Sequence, residues 1–454
     1  MQYSDTALGT ERIWKLILRL GLPGLAAQLI NLLYNVVDRM YIGHMPGVGE
    51  LALTGVGLTT PVLQLITAFS VLVGSGGAPL AAIALGAGRR RRAETILGNG
   101  VTVLLLFSAV LTVLFWAVRR PFLYLIGASD ATYLYAEQYL TVYLSGTVFV
   151  QLTLGLNPFA AAQGCARTAM FSVIFGAAVN IILDPVFIFG FHMGVRGAAL
   201  ATVISQAVSA AWIVCFLTRP STSLRIRLRD LRPRWNIIRR VAGLGISPFI
   251  MDSTESLIVV VLSHQLYLYG GDLYVGSLTI LQSVMQLISI PLSGFKGGVS
   301  PILSYNYGAG KPERVREAFR KMLLLGFGYS FLIALLAILF PGFFARIFTD
   351  GEALIDLVSR VLPVFVFGML VFGIQTICQA AFVALGQAGR SLIVALLRKV
   401  VLLAPLAVIL PACTHSVYAI YWAEPISDIL SVTMCAIIFR DFVRKGGFSA
   451  SAPY

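Results

Sequence analysis

Two carboxylates stand inside apolar stretches of the chain, each four residues after another polar side chain. Asp38 follows Tyr34 in the segment NLLYNVVDRMYIGH, and Asp184 follows Asn180 in the segment NIILDPVFIFG. Residues four apart share one face of a helix, so each pair would project to one side. A carboxylate in a hydrocarbon layer costs about 2.5–3.5 kcal/mol on insertion scales, so we expect these residues to bind an ion or a substrate.

Further polar residues extend this predicted site in the first half of the chain. Thr202 lies in the segment GAALATVISQ, Tyr139 lies in the fourth apolar stretch, and Asn157 lies at the end of that stretch. With the two pairs they supply mostly oxygen ligands, which suit either a proton or a hard cation such as sodium. A carboxyl group in such a site can take up a proton on one side of a membrane and release it on the other.

The second half carries a different set of polar residues. Asp252 and Glu255 are three apart in GISPFIMDSTESLIVVVLSH and share a helix face. Lys296, in the segment IPLSGFKGGVSPILSYNYGAG, falls at a depth similar to that of Glu255, and we expect the two to pair because an unpaired lysine there would be costly. Gln375 and Gln379 share a face that would line a cleft.

These residues sit in a chain whose composition is that of a polytopic membrane protein. The chain has 454 residues, of which 58% are hydrophobic and 12% charged, whereas a soluble domain has about 25% charged residues. A helix needs about 20 apolar residues to span a bilayer. Apolar stretches of that length predict twelve spans, at about 13–41, 51–84, 94–118, 130–156, 168–190, 196–218, 238–268, 273–305, 317–345, 353–384, 391–411 and 416–440.

The basic residues predict the orientation of these spans. Most of the 34 Lys and Arg fall in segments on one side, including the four arginines 89–92, the arginine-rich segment 219–236, and Arg398 with Lys399. Cytoplasmic segments carry the excess of Lys and Arg, so both termini are expected in the cytoplasm. The basic runs are therefore expected to contact anionic lipid rather than nucleic acid.

The chain repeats itself with a shift of about 220 residues. GGAP at 76–79 aligns with GVSP at 298–301, and ILDP at 182–185 aligns with LLAP at 402–405. Each repeat has an even number of spans, so the halves are parallel repeats, which bind substrate near the membrane midplane and alternate access by rocking. The predicted division is an N-terminal lobe at 1–218, a cytoplasmic linker at 219–236 and a C-terminal lobe with a short cytoplasmic tail at 237–454.

The segments YNVVDRMYIGH, GGAPLAAIALGAG, NIILDPVFIFGFHMGVRGAALATVISQ and PILSYNYGAGK resemble the multidrug and toxic compound extrusion family. The resemblance covers nearly the whole chain and is nearest to the DinF-like and MepA-like bacterial members. It implies an all-α membrane protein with twelve transmembrane helices, in two pseudo-symmetric six-helix lobes around a V-shaped cleft. It also implies export of cationic lipophilic compounds from a bacterial cell, by antiport with protons or sodium ions, and we expect a monomer.

The resemblance also assigns roles to individual residues. The family's cation site matches Asp38, Asn180, Asp184 and Thr202, and its neighbours match Tyr34, Tyr139 and Asn157. Glu255 matches an acid of the NorM-like branch, but the aspartate that this branch carries in helix ten has no counterpart in GIQTICQAAF. Lys296 stands where relatives carry an uncharged residue. The remaining candidates of the second half are Asp252, Gln375 and Gln379.

Two other functions remain open for the same architecture. One is a flippase for lipid-linked saccharides, which would line its cleft with several arginines, and the other is an exporter of an endogenous metabolite. The sequence has no Walker A lysine motif and no Ser-His-Asp arrangement, so we expect neither ATP-driven transport nor an enzyme. No cofactor is expected apart from the coupling ion, H⁺ or Na⁺.

Overall fold

The computed structural model describes residues 6–126, 128–349 and 351–449. Its regular structure in these ranges is helical throughout. The outermost ends of the two predicted lobes, 1–5 and 450–454, lie outside the described residues. The helices are α1 Thr6–Thr10, α2 Ile13–Gly43, α3 Gly49–Gly86, α4 Arg90–Leu125, α5 Asp130–Ser145, α6 Thr147–Ala162, α7 Ala166–Pro185, α8 Val195–Thr218, α9 Trp235–Gly270, α10 Asp272–Gly308, α11 Pro312–Leu339, α12 Pro341–Arg346, α13 Glu352–Phe365, α14 Met369–Ala384, α15 Ala388–Leu396, α16 Ala404–Thr414 and α17 Tyr418–Arg444.

The helices account for the predicted membrane crossings. Within the described ranges, nine helices are long and apolar enough to span a bilayer, and two bent helix pairs raise that number to eleven. Helix α17, which is not among these eleven, has 27 residues, or about 40 Å of helix, and is therefore long enough to cross a bilayer. It carries Glu424 and Asp428 in its first half. The predicted all-α membrane fold is confirmed.

The fourth crossing of each half is bent. Helices α5 and α6 meet at an angle of 60° beside Gly146, and α13 and α14 meet at 49° near Gly368. A methyl group at Gly146 would lie 2.4 Å from the side chain of Val203, so glycine permits the close approach of α8 at this bend. The same bend in both halves is what a duplicated six-helix unit would give.

The two halves touch through glycines at equivalent positions. A methyl group at Gly76 on α3 would lie 2.1 Å from the carbonyl oxygen of Val241 on α9. At Gly298 on α10 it would lie 2.2 Å from the carbonyl oxygen of Leu20 on α2. Small residues let membrane helices pack backbone against backbone. Helices α2 and α3 of the first half therefore lie directly against α10 and α9 of the second half.

Each half also contains one wide helical turn. A π-helix at Val186–Gly190 follows Asp184 and Pro185, and another at Leu397–Leu403 joins α15 to α16 just before Pro405. Proline cannot donate the hydrogen bond of a regular α-helix, and π-helical turns occur frequently at functional sites. In each half, the π-helical turn therefore lies beside charged residues that face the interior of that half.

A short leader segment precedes the first long helix of each half, and we call 6–12 the first leader and 219–234 the second. The first leader, which runs into α2, is held by the second half. Asn306 donates a hydrogen bond of 2.9 Å to the carbonyl oxygen of Leu8. Arg314 donates one of 2.7 Å to the carbonyl oxygen of Glu11.

The second leader, which runs into α9, is held by the first half. It forms a 3₁₀ turn at Leu228–Leu231, in which Asp230 is buried and contacts Arg91 of α4 at 3.0 Å. Arg227 contacts the buried Glu94 at 3.2 Å. Asn99 accepts a hydrogen bond of 2.6 Å from the backbone nitrogen of Arg234. Each leader therefore docks on the half of the molecule to which its own long helix does not belong.

Candidate functional site

The structure brings together the two acids of the first half. Asp38 lies on α2 and Asp184 at the end of α7, and their carboxyl groups are within hydrogen-bonding contact of one another. The amide nitrogen of Asn180 donates to Asp184 at 3.2 Å and approaches the hydroxyl oxygen of Thr202 on α8 at 3.5 Å. All four side chains are buried. Three helices therefore deliver the four predicted residues to one point.

Several oxygens at this point have no donor. Asp38 Oδ1, Asp184 Oδ2 and Asn180 Oδ1 are buried without a hydrogen-bond partner among the described residues. A buried, unsatisfied oxygen is costly, and two adjacent buried carboxylates repel each other. A proton between the carboxyl groups, or a cation bound by the three oxygens, would relieve both penalties.

Two tyrosines and a glutamine surround the acids. The hydroxyl group of Tyr34 is in hydrogen-bonding contact with Gln206 and lies close to Asp38. Tyr139 contacts Thr202 through its hydroxyl group and stacks on Tyr143 with a centroid distance of 6.1 Å. Sequence reasoning missed Gln206, although it lies four residues after Thr202 and so shares its helix face.

Asn157 is the remaining predicted residue of the first-half site. It lies on α6, and its side-chain oxygen is buried without a partner among the described residues. No hydrogen bond in the described part of the chain connects it to Asp38 or Asp184. Its place in the cation site therefore rests on the sequence resemblance alone.

The second half holds a separate set of charges, and here the predicted partner of Glu255 is wrong. Glu255 pairs with Lys399 of the π-helical turn, at 2.8 Å between carboxylate oxygen and ammonium nitrogen, rather than with Lys296. The Lys399 side chain is 4% exposed and that of Glu255 57% exposed. Depth along two helices predicts the height of a side chain but not the direction in which it points.

The sequence analysis also assigned Arg398 and its neighbour Lys399 to the wrong part of the molecule. Both residues were counted as cytoplasmic, but the structure buries them within the second half. Arg398 donates to Asp428 at 2.6 Å and to Glu424 at 3.2 Å, both on α17, and lies 4.7 Å from the ring centre of Phe372. The sequence contained one indication that they are buried: in LLRKVVLLAP the two basic residues have apolar residues on both sides.

The other predicted residues of the second half lie around these pairs. Asp252 interacts electrostatically with both Lys296 and Glu255. Gln379 donates to Ser247 at 3.3 Å and so joins α14 to α9. Gln375 is buried one turn away, and neither its oxygen nor its nitrogen has a partner among the described residues.

Comparison with known proteins places these features in context. The family model MatE matches the chain twice, at residues 23–186 and 248–409, so the two matched stretches correspond to the two halves. The multidrug export protein MepA of Staphylococcus haemolyticus is 24% identical over 423 residues, which cover 92% of both chains. MepA of Staphylococcus aureus is 24% identical over 426 residues, or 94% of this chain and 92% of that protein.

Solved structures share the whole fold. A MATE protein in complex with MaL6 superposes with a TM-score of 0.89 at 22% identity, covering 98% of this chain and 99% of the other. A multidrug resistance MATE family transporter of the MOP superfamily, in an outward-facing conformation, also gives 0.89 at 22% identity, with 98% of each chain covered. The two-lobe arrangement of these proteins is therefore the arrangement of this chain.

Proposed function

Because the chain belongs to the MatE family of membrane transporters, we propose that it exports cationic lipophilic compounds by antiport with protons or sodium ions. The observation that carries this proposal is the contact between Asp38 and Asp184, with three buried oxygens open to a proton or a cation. Relatives that align with more than nine-tenths of the chain are named multidrug export proteins, which supports drugs as the cargo class.

The proposed mechanism is competition through the first half. When the cleft faces outward, a proton or sodium ion binds between Asp38 and Asp184 and removes one unit of negative charge. The carboxylates then attract cationic cargo less strongly, and cargo leaves to the outside. After the lobes rock inward, the ion leaves and the restored charge favours binding of the next cation from the cytoplasm.

The available energy matches such an exchange. One ion moving down a tenfold concentration gradient yields about 1.4 kcal/mol, enough for a tenfold cargo gradient at one-for-one stoichiometry. Exchange of one ion for one monovalent cation moves no net charge. A second ion per cargo molecule would add the membrane potential, about 2.3 kcal/mol per charge at 100 mV.

The proposed topology follows the distribution of basic residues. We propose a monomer in the bacterial plasma membrane with both termini in the cytoplasm, divided into lobes at 1–218 and 237–454 by the segment 219–236. The second leader, 219–234, which carries six of the arginines, would then lie on the cytoplasmic side. Loss of Arg398 and Lys399 from the cytoplasmic set leaves the bias intact, because the other segments expected in the cytoplasm still contain most of the 34 Lys and Arg.

The flippase alternative has less support. A pyrophosphate headgroup would need several basic side chains free to bind it. Arg398 and Lys399, the basic residues that are buried in the described part of the second half, are already paired with carboxylates. Export of an endogenous cationic metabolite would use the same proposed site and differs only in the cargo.

Transport into vesicles under one imposed gradient at a time tests the proposal. Purified protein in vesicles is given a proton gradient alone or a sodium gradient alone, and uptake of the lipophilic cation rhodamine 123 is followed. We expect one of the two gradients to drive uptake by the parent protein. The Asp38→Asn and Asp184→Asn variants should each lose at least nine-tenths of that uptake, because each leaves a single carboxylate where the proposed ion site needs both.

Asp356→Asn is the matched control. Asp356 is 64% exposed on α13 and pairs only with Arg360 in the described structure, so its loss should leave uptake unchanged. Full uptake by Asp184→Asn, or no uptake by the parent under either gradient, would reject the proposal.

A further inference from the structure

Helices α7 and α8 are joined by two reciprocal hydrogen bonds between buried serines. The hydroxyl group of Ser172 donates to the carbonyl oxygen of Ser209 at 3.1 Å, and the hydroxyl group of Ser209 donates to the carbonyl oxygen of Ser172 at 2.8 Å. Both side chains are buried. Because each short side chain ties its own helix to the backbone of the facing helix, the two bonds limit how far α8 can slide along α7.

The two helices are also in contact on either side of this serine pair. Toward the start of α7, the indole nitrogen of Trp212 donates to the carbonyl oxygen of Thr168 at 3.1 Å. Toward its end, a methyl group at Gly176 would lie 2.2 Å from the hydroxyl oxygen of Ser209 and 3.2 Å from the carbonyl oxygen of Ser205. Small residues permit such a close approach of membrane helices, so the serine pair lies within a tightly packed seam.

These contacts follow one antiparallel register that ends at the proposed ion site. The last contact of the series is Asn180 with Thr202, at 3.5 Å between the amide nitrogen and the hydroxyl oxygen. Asp184 follows four residues later on the same face of α7. The contacting residues are four apart along α7 and run in the opposite order along α8: Thr168 with Trp212, Ser172 with Ser209, Gly176 with Ser205, and Asn180 with Thr202.

The equivalent face in the second half of the chain is apolar. When ILDP at 182–185 is aligned with LLAP at 402–405, the positions of Gly176, Asn180 and Asp184 fall on apolar residues. These residues are Leu396, Val400 and Ala404. The small and polar residues of α7 therefore accompany the buried acids and are not a requirement of the repeated six-helix unit.

The geometry of the ion site depends on this register. Asn180 donates to Asp184 at 3.2 Å, whereas its approach to Thr202 at 3.5 Å is already long for a hydrogen bond. Asn180 and Thr202 have short side chains, so a small slide of α8 along α7 would separate them. The hydroxyl oxygen of Thr202 would then be lost from the oxygens that surround the bound ion.

We propose that Ser172 and Ser209 are positioning residues for the ion site, because their reciprocal hydrogen bonds hold α7 and α8 in the register that places Thr202 beside Asn180. The inference rests on the proposed ion site at Asp38 and Asp184. It adds that the affinity for the coupling ion depends on a contact eight residues before Asn180, which is about 12 Å along α7.

Removal of both hydroxyl groups tests this role. In vesicles under the gradient that drives the parent, Ser172→Ala/Ser209→Ala should change the ion concentration for half-maximal rhodamine 123 uptake by roughly three- to eightfold, since interhelical hydrogen bonds of this kind are of modest strength. For a proton this is a shift of about half to one pH unit. For sodium, the variant should need the higher concentration. The maximal rate should stay within about twofold of the parent, because both acids remain.

Ser304→Ala is the matched control. Ser304 on α10 is buried, and its hydroxyl group donates to the carbonyl oxygen of Ala384 on α14 at 2.8 Å. The variant therefore removes the same kind of bond from the second half, at the same distance as the bond that Ser209 donates. It should lower the thermal midpoint about as much as Ser209→Ala and leave the half-maximal ion concentration as in the parent.

Ion binding measured without transport separates this inference from the export function. The thermal midpoint of detergent-purified protein is followed against sodium concentration and against pH, since a bound ion stabilises the folded state. The part of this dependence that Asp184→Asn abolishes belongs to the site. If the parent shows that dependence but transports no dye, the export function fails, and the shift of the dependence in the double variant still decides the role of the serines.

Three results would overturn the inference. One is an unchanged ion dependence in Ser172→Ala/Ser209→Ala, and another is a fall of its maximal rate alone. The third is an equal shift in Ser304→Ala, which would make the two serines packing residues like any other buried pair. A parent whose ion dependence is unaffected by Asp184→Asn would overturn both the proposed ion site and this inference.

Discussion

The ammonium nitrogen of Lys399 lies 2.8 Å from a carboxylate oxygen of Glu255, and the two partners differ sharply in burial. The lysine side chain is 4% exposed and the glutamate side chain 57% exposed. Removing Glu255, the exposed partner, leaves the buried ammonium group of Lys399 without a counter-charge. Removing Lys399, the buried partner, leaves a carboxylate that can be solvated by water. The two single variants are therefore not equivalent.

We expect Glu255→Gln to lower thermal stability more than Lys399→Met. An unsatisfied buried group costs about 1–3 kcal/mol, and only Glu255→Gln leaves one. The midpoint of thermal unfolding in a fixed detergent would show this order. The double variant should recover most of the loss, since neighbouring residues couple by about 0.5–3 kcal/mol. Equal midpoints for the two single variants would contradict the asymmetry.

Arg398 is expected to be more sensitive than any surface arginine. Arg398→Met leaves Glu424 and Asp428 buried without their partner, and breaking a buried pair in this way costs about 3–5 kcal/mol. Arg398→Lys should restore little, because one ammonium group cannot replace a guanidinium that contacts two carboxylates through separate nitrogens. The yield of monodisperse protein after solubilisation is the measurement.

Arg360→Met is the comparison for that experiment. Arg360 and its partner Asp356 are about equally exposed, at 65% and 64%, so the yield should match that of the parent. A normal yield for Arg398→Met would show that the second lobe tolerates the two acids unpaired.

At the contact between the lobes, Gly298 should not tolerate an added methyl group, whereas the neighbouring Gly297 should. Gly298→Ala would place a methyl group 2.2 Å from the Leu20 oxygen, whereas nothing lies within 4 Å of the same methyl group at Gly297. Overpacking costs about 1–3 kcal/mol, but alanine in an open helix position is favourable by up to about 1 kcal/mol. Thermal midpoints should therefore fall for Gly298→Ala and hold or rise for Gly297→Ala.

The second leader should be released by loss of Asp230. Asp230→Ala removes the contacts to Arg91 and Thr95, and a loss of about 1–2 kcal/mol raises the open population by about 5–30-fold. Trypsin should then cleave faster after Arg225, Arg227 and Arg229. Asp441→Ala, at an exposed pair with Lys445, should not change the cleavage rate. An unchanged rate in Asp230→Ala would mean that the other contacts of the leader, such as Arg227 with Glu94 and the hydrogen bonds of Asn99, are sufficient to hold it.

The first-half acids could be identified from the sequence because their environment there resembles their environment in the fold. Asp38, Asn180 and Asp184 are polar residues in apolar runs, at spacings that define one helix face. A period of 3.6 predicts which polar residues share a helix face, and the resemblance to the transporter family implied that these faces meet in one cation site. The sequence analysis did not identify Gln206, because an amide side chain in the middle of a helix can have many structural roles.

The second-half charges could not be predicted in the same way. Arg398 is paired with residues 26 and 30 positions later, and no local pattern reports such a contact. The positive-inside rule counts basic residues, so it interprets an Arg-Lys pair within an apolar run as the cytoplasmic boundary of a membrane span. The π-helical turn at Leu397–Leu403 buries both side chains and packs against α9 and α17, contacts that the local sequence does not reveal.

The reciprocal docking of the two leaders bears on how the molecule is built. Two identical six-helix chains related by a twofold axis would exchange their leading segments in this manner, as in a domain-swapped homodimer. The single chain keeps that geometry although one continuous polypeptide joins the halves. A cut between the exposed residues Thr218 and Arg219 should therefore yield two fragments that bind each other, since each fragment then carries the complete leader that docks on the other.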